Sequence, residues 1–206
     1  LFFRWVWKEA KAEIYGEYNL NDAKYNLRDL LLDSNHSSAF SLGLKKIFNH
    51  KYDFSWEWTK LDQSSSSLLR DAGSWYHHGL VRHGYTNYGE VLGAAIGPGS
   101  SSQYFSLSKF KRNSEIEISF NKINRNNDFL MSAFEVEPYV YRKWYDMIYS
   151  LSYKKQIKKI TLITKLNYIN SINYQWMNIY INSFELKEDI GNFKSVNLAL
   201  KIIYKL

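Results

Sequence analysis

Between Arg70 and Tyr88 the chain gathers two guanidinium groups, three imidazoles and four large aromatic rings. The guanidiniums are Arg70 and Arg82, whose planar forks match carboxylates bidentately. His77, His78 and His83 add neutral or cationic donors. Trp75, Tyr76, Tyr85 and Tyr88 offer flat apolar faces on which the C–H face of a sugar ring can lie. Stacking rings beside carboxylate-binding forks suit an acidic polysaccharide. Arg70, Trp75, Tyr76, His77, His78, Arg82, His83 and Tyr85 are the candidate contact residues. Asp71, Gly84, Gly89, Gly93, Gly97 and Gly99 are candidates for holding the shape of the segment, because closely spaced glycines let a loop turn tightly. The plain alternative is a structural plug whose polar groups satisfy one another.

Other chemistry is less well supported by spacing. His77, His78 and His83 with Asp71 or Glu90 form a conceivable metal set, but adjacent histidines on extended backbone point in opposite directions. Ser74, His78 and Asp71 could be drawn as a hydrolase triad, yet their spacing fixes no geometry. Gly93, Gly97 and Gly99 do not make a phosphate loop, since no Lys-Ser/Thr pair follows. No nucleic-acid motif accompanies the basic charge, and no cofactor is expected. Lys154, Lys155, Lys158 and Lys159 read as a solvated turn near lipid head groups. Glu13, Glu17, Glu57, Glu115 and Glu117 read as lining or ion-pairing groups on a wet face.

The elements that must carry these residues follow a period of two. Tyr52, Phe54, Trp56 and Trp58 alternate with Asp53, Ser55, Glu57 and Thr59. Ile116, Ile118 and Phe120 alternate with Glu115, Glu117, Ser119 and Asn121. Tyr145, Met147, Tyr149, Leu151 and Tyr153 lie opposite Asp146, Ser150 and Ser152. Ile160, Leu162, Leu166 and Tyr168 oppose Lys159, Thr161, Lys165 and Asn167. One apolar and one wet face per strand is the pattern of a strand between lipid and an aqueous lumen. Composition agrees. Aromatic residues make up 17% of the 206 residues, yet the mean hydropathy is −0.43. Cysteine is absent and the formal charge is +7, which suits anionic partners. Nowhere do about 18 apolar residues run together, so no membrane helix is expected.

The expected fold is therefore all-β, an antiparallel transmembrane barrel sheet in the outer membrane. Nine strands are predicted at about 1–8, 10–19, 38–48, 52–61, 103–112, 114–123, 141–154, 156–169 and 192–206. Tight turns fall near Lys8–Glu9, Asn49–Lys51, Asn113 and Lys155. Long extracellular loops span about 20–37, 62–102, 124–140 and 170–191; Tyr174, Trp176 and Tyr180 would allow a tenth strand in the last. The final strand alternates Val196, Leu198, Leu200, Ile202, Tyr204 and Leu206, an ending similar to that of outer-membrane proteins. If that strand ends in the periplasm, the first of nine starts outside, so a preceding N-terminal portion is expected.

The stretch RDAGSWYHHGLVRHGYTNYGEVLGAAIGPGS (70–100) resembles the signature loop of the Wzi capsule-assembly family of outer-membrane proteins. IYGEYNLNDAKYNLRDLLLDSNHSSAFSLGLKKIF (14–48) is similar to that family's strand–loop–strand, with the likeness carried by Asn26–Asp29 and the region of His36. The last third of the chain matches in pattern alone. The resemblance implies a barrel of about eighteen strands, of which this chain holds about nine, and a role in holding capsular or exopolysaccharide at the cell surface. It also implies a periplasmic helical part, which has no counterpart here. Lipopolysaccharide, membrane lipid and other capsule export components are the further partners expected. A non-enzymatic polysaccharide-binding barrel, an outer-membrane enzyme and a passive structural barrel are the three function classes in play.

Overall fold

The computed structural model describes residues 1–21, 26–32, 36–63, 73–134, 143–177 and 190–204. It is an all-β structure. Nine strands form one antiparallel sheet in the order β1-β2-β3-β4-β7-β8-β9-β10-β11. They are β1 (Phe2–Trp7), β2 (Ala12–Leu20), β3 (Ser38–Phe48), β4 (Tyr52–Lys60), β7 (Ser101–Lys111), β8 (Ser114–Asn124), β9 (Tyr145–Ile157), β10 (Ile160–Ile172) and β11 (Phe193–Tyr204). A separate two-stranded ribbon, β5 (Thr86–Asn87) and β6 (Glu90–Val91), lies in the connection after β4. Two short helices, α1 (Leu27–Leu32) and α2 (Asn127–Phe134), occupy other connections.

All nine expected strands fall within about four residues of their predicted places. The turn expected at Lys155 instead falls at Lys158 and Lys159, between paired Ile157 and Ile160. Lys158 adopts a positive φ there, and the hairpin is shifted along the chain: β9 ends at Ile157 and β10 starts at Ile160. The tenth strand allowed by Tyr174, Trp176 and Tyr180 does not form over the first two, where Tyr174–Trp176 is a 3-10 turn; Tyr180 lies outside the described residues. Neither helix was legible from the strand period.

The ladder sorts side chains as the alternation requires. Trp5, Ile14, Leu44, Trp56, Phe105, Phe120, Tyr149, Tyr168 and Val196 run in one row across the sheet. On the opposite face Lys45, Ser55, Ser106, Ser119, Ser150, Asn167 and Asn197 form a polar row. Burial is inverted relative to a water-soluble sheet. Ile118 and Leu198 are 54% and 73% exposed, whereas Ser106 and Ser108 are 7% and 5% exposed. The few buried apolar side chains, Ala39, Leu61, Ile123, Leu130 and Trp176, lie at the end of the sheet where the long connections are.

The hairpins are offset in a regular way. Trp7 and Ala12 close the first short turn and pair in line with Lys46 and Phe54. Phe48 and Tyr52 close the second, two pairs further on. Lys111 and Ser114 close the third two pairs beyond that, and Ile157 and Ile160 the fourth two more. Each hairpin thus advances by two residues, about 6.6 Å, for every two strands, about 9.6 Å of sheet width. That shear corresponds to strands inclined by roughly 35° to the perpendicular of the line of hairpin ends, within the range of tilts found in barrels.

Local fits follow from the same register. Gly43 pairs with Tyr15, whose ring covers it: a Cβ at Gly43 would stand 2.1 Å from the ring. The lack of a side chain lets the Tyr15 hydroxyl reach Glu57, donating to Oε2 at 2.7 Å. Gly43→Ala should displace the ring and cost about 1–2 kcal/mol through the lost bond and forced rearrangement. Urea unfolding of Gly43→Ala, Tyr15→Ala and the double variant tests this. The glycine effect should nearly vanish once Tyr15 is removed; equal costs in both backgrounds would refute the fit.

Candidate functional site

Three of the long connections meet at α2. Its start is fixed by local chemistry. Asn126 precedes the first turn and its Oδ1 accepts the Phe129 N–H at 3.3 Å, an N-cap bond. The Asn127 N–H donates to the Gly99 carbonyl at 2.6 Å. Gly99 has φ +60°, and a Cβ there would come within 2.7 Å of Asn126 Oδ1, so the close approach requires glycine.

Asp128 then ties two points of the connection between β4 and β7, its start and Ser74 within it, to the helix. Its Oδ1 accepts the Gln63 N–H at 2.8 Å and its Oδ2 the Ser74 hydroxyl at 2.9 Å. Burial pushes the Asp128 carboxyl above its usual range; the two hydrogen bonds and Lys60 oppose that shift, and the charge of Asp62 adds to it. Asp62 accepts from Asn127 Nδ2 at 3.1 Å, and Lys60 donates to the Asp62 backbone carbonyl at 2.6 Å. These bonds set where the loop leaves and re-enters the sheet.

Within residues 73–100 the loop is organised around Tyr76. Its ring stacks on Tyr85, with centroids 6.5 Å apart and planes 20° apart. Its hydroxyl accepts the Ala94 N–H at 3.1 Å, and its carbonyl accepts the Tyr85 N–H at 3.0 Å. Gly93 lies against the ring, where a Cβ would be 2.4 Å away, and Gly84 lies 2.2 Å, by the same measure, from the Tyr76 carbonyl. The ribbon of β5 and β6 turns through Tyr88 and Gly89, both at positive φ, as a two-residue type I′ turn demands.

The sequence-predicted residues divide by environment. Trp75 and Tyr76 are half-buried, whereas His77, His78, Arg82, His83 and Tyr85 are exposed. The Nδ1 of His78 accepts the N–H groups of Leu80 and Val81, each at 3.2 Å; it serves the loop's own turn. Gly89 and Gly97 hold positive φ with open space around them. Arg70 and Asp71 lie outside the described residues. The drawn triad does not assemble: the Ser74 hydroxyl goes to Asp128 and His78 Nδ1 to backbone. Among the described residues no three of His, Asp and Glu come together as a metal set.

On the other side of α2 lies a cluster that the sequence reading did not pick out. Trp176 packs between Phe129, at 5.1 Å, and Trp144, at 5.6 Å. Tyr174 meets Trp144 at 5.0 Å and Phe193 at 5.5 Å. Beneath it Asp146 accepts from Arg125 Nε at 2.8 Å, Trp144 Nε1 at 3.0 Å and Ser171 Oγ at 2.6 Å. The signal available for α2 was Asn126, Asn127 and Asp128 placed before the apolar run FLMSAF, an N-cap pattern.

Compared with known proteins, the chain is matched over residues 1–177 by the family model described as Capsule assembly protein Wzi. No curated protein and no solved structure matches it.

The Asp128 node yields a direct test. Asp128→Ala leaves Gln63 N–H and the Ser74 hydroxyl without their acceptor, and should loosen the loop by about 1–3 kcal/mol. Asp128→Asn retains one acceptor and sheds the buried charge, so it should loosen the loop less. Hydrogen exchange at Gln63 and protease cleavage within 73–100 should rise for Asp128→Ala while the strands stay protected. Unchanged exchange at Gln63 would rule the node out as the anchor.

Proposed function

The chain belongs to the Wzi family of capsule assembly proteins, and from that premise we propose that it is part of a bacterial outer-membrane barrel that binds acidic capsular or extracellular polysaccharide at the cell surface without chemical turnover. The observation that carries the reading is the loop at 73–100. It is pinned at the mouth of the wet face by Ser74 and Asp128 and presents Arg82, His77, His83 and Tyr85 outward. Arg82 would take a uronic-acid carboxylate through its fork. Tyr85, backed by Tyr76, would take the apolar face of a sugar ring. Contacts of this kind are modest in a wet site. Retention would therefore come from many repeats of the polymer engaging many copies of the protein, and short oligosaccharides should bind poorly.

A second reading, a structural plug, draws on a specific observation as well. Tyr76, Gly84, Gly93 and His78 satisfy the loop internally. The two readings assign different residues: Tyr76 and His78 to architecture, Arg82, His77, His83 and Tyr85 to the ligand. Membrane placement rests on the exposed apolar face, a continuous surface of the kind that marks contact with lipid or a partner.

Arg82→Ala should reduce surface polysaccharide in cells at unchanged protein level, and Arg82→Lys should restore it only in part because the planar fork is lost. Normal capsule in Arg82→Ala and in Tyr85→Ala would leave the plug reading standing. Leu200→Arg, in the middle of the apolar face of β11, should cost about 2–4 kcal/mol of unfolding free energy in a bilayer. A wild-type unfolding profile for that variant would rule out lipid contact there.

A further inference from the structure

The apolar face of the sheet carries lysines, and their positions are ordered. Lys46 on β3, Lys109 on β7 and Lys155 on β9 all point to the face that bears Phe54, Leu107 and Leu151. Lys109 lies two strands from Lys46 and two pairs further toward the short turns; Lys155 lies two strands from Lys109 and two pairs further again. This step of two residues per two strands equals the offset of the hairpin ends. A line through the three ammonium positions therefore runs parallel to the edge of the sheet, inclined about 35° from the perpendicular to the strands. In a bilayer with strands at that tilt, the three lysines stand at one depth.

The surroundings of this line are those of an interface. Lys46 Nζ lies 5.7 Å from the Phe48 ring centroid, Lys109 Nζ 5.6 Å from that of Tyr52, and Lys159 Nζ, in the last turn, 6.0 Å from that of Tyr204. Lysine beside an aromatic ring, with its stem along apolar surface, is the arrangement that lifts an ammonium to the head-group level. No described strand residue on the apolar face is Asp or Glu. Among the described residues, none of Lys46, Lys109 and Lys155 pairs with a carboxylate, although Lys154 on the wet face pairs with Glu115. Lys46 also donates to the Ala10 carbonyl.

A second line bounds the other side. Lys60 on β4 and Lys122 on β8 show the same step. Seven residues separate the two lines along a strand, about 19 Å of depth at this tilt. Outward-reaching lysine stems extend that toward the usual apolar band of about 25 Å. Lys60 is already committed to Asp62, at 3.7 Å. That leaves Lys122 alone on the second line, over the Tyr145 ring at 4.9 Å, against three lysines on the short-turn line.

We propose that Lys46, Lys109 and Lys155 form a docking line for the phosphates of anionic phospholipids in the leaflet on the short-turn side. This rests on the reading that the sheet spans a bilayer. Each ammonium would donate to phosphodiester oxygens at the depth where the aromatic side chains end. The line would fix both the depth and the direction of the sheet in the membrane.

The test is reconstitution of the complete protein from detergent into phosphatidylcholine vesicles with or without 30 mol% phosphatidylglycerol, scored by flotation at low and high salt. Wild type should favour the anionic vesicles by about tenfold at low salt, and by about twofold or less in 0.5 M salt. Lys46→Gln/Lys109→Gln/Lys155→Gln should lose the preference yet still enter neutral vesicles. Arginine at the same three positions should keep it, which separates lost charge from lost folding. An unchanged preference in the glutamine variant overturns the proposal, as does its transfer to Lys60→Gln/Lys122→Gln. Failure of wild type to float with either vesicle removes the spanning reading beneath it.

Discussion

The offset of the backbone ladder, two residues at every hairpin, is the constraint from which the rest of the molecule follows. Backbone N–H and C=O groups must be paired wherever water is absent, and a sheet satisfies them strand by strand. Because each hairpin here advances by two residues, the four short turns fall on a straight slanted edge. The slant sets the inclination of the strands, and it carries every side chain to a definite height. Lysines far apart in sequence become level, and so do the aromatic residues beside them. None of this needs a packed core, and the sheet has almost none.

The two faces divide the chemistry. The wet face is crowded with short side chains, Ser55, Ser106, Ser119 and Ser150 in one row, which leaves room above it for inward-folding connections. α2 uses that room. One edge of the helix, through Asp128, holds the loop that starts after β4; the next residue, Phe129, packs on Trp176. The site is therefore assembled from three connections rather than one, and the glycines of the signature segment are needed where backbone and ring come closest, at Gly84, Gly93 and Gly99.

Most of the sheet was legible in the sequence because a period of two is a direct imprint of the pleat. Ile116 to Phe120 and Val196 to Tyr204 needed no tertiary information. The turn near Lys155 was misplaced because charged residues looked like turn residues, while the ladder continues through them: Lys155 follows the apolar alternation, and Ile157 still pairs. α2 is not legible in the strand pattern because its eight residues lie in a connection with no period of two. Only the Asn126 cap announces it. Of the loop, the residue types were readable but their duties were not. His78 and His77 are neighbours of the same type, yet one closes a turn by accepting two backbone hydrogens and the other faces solvent. Such a split depends on local φ/ψ, which side-chain identity does not encode.

The Ser74–Asp128–Gln63 bridge also makes the loop and the helix a single cooperative opening unit. Neither can detach without exposing polar groups that the other had satisfied, so their local unfolding shares one free energy. Release of the loop would therefore release α2 with it, and the aromatic cluster around Trp176 would register, as an indole signal, an event that takes place on the opposite side of the helix.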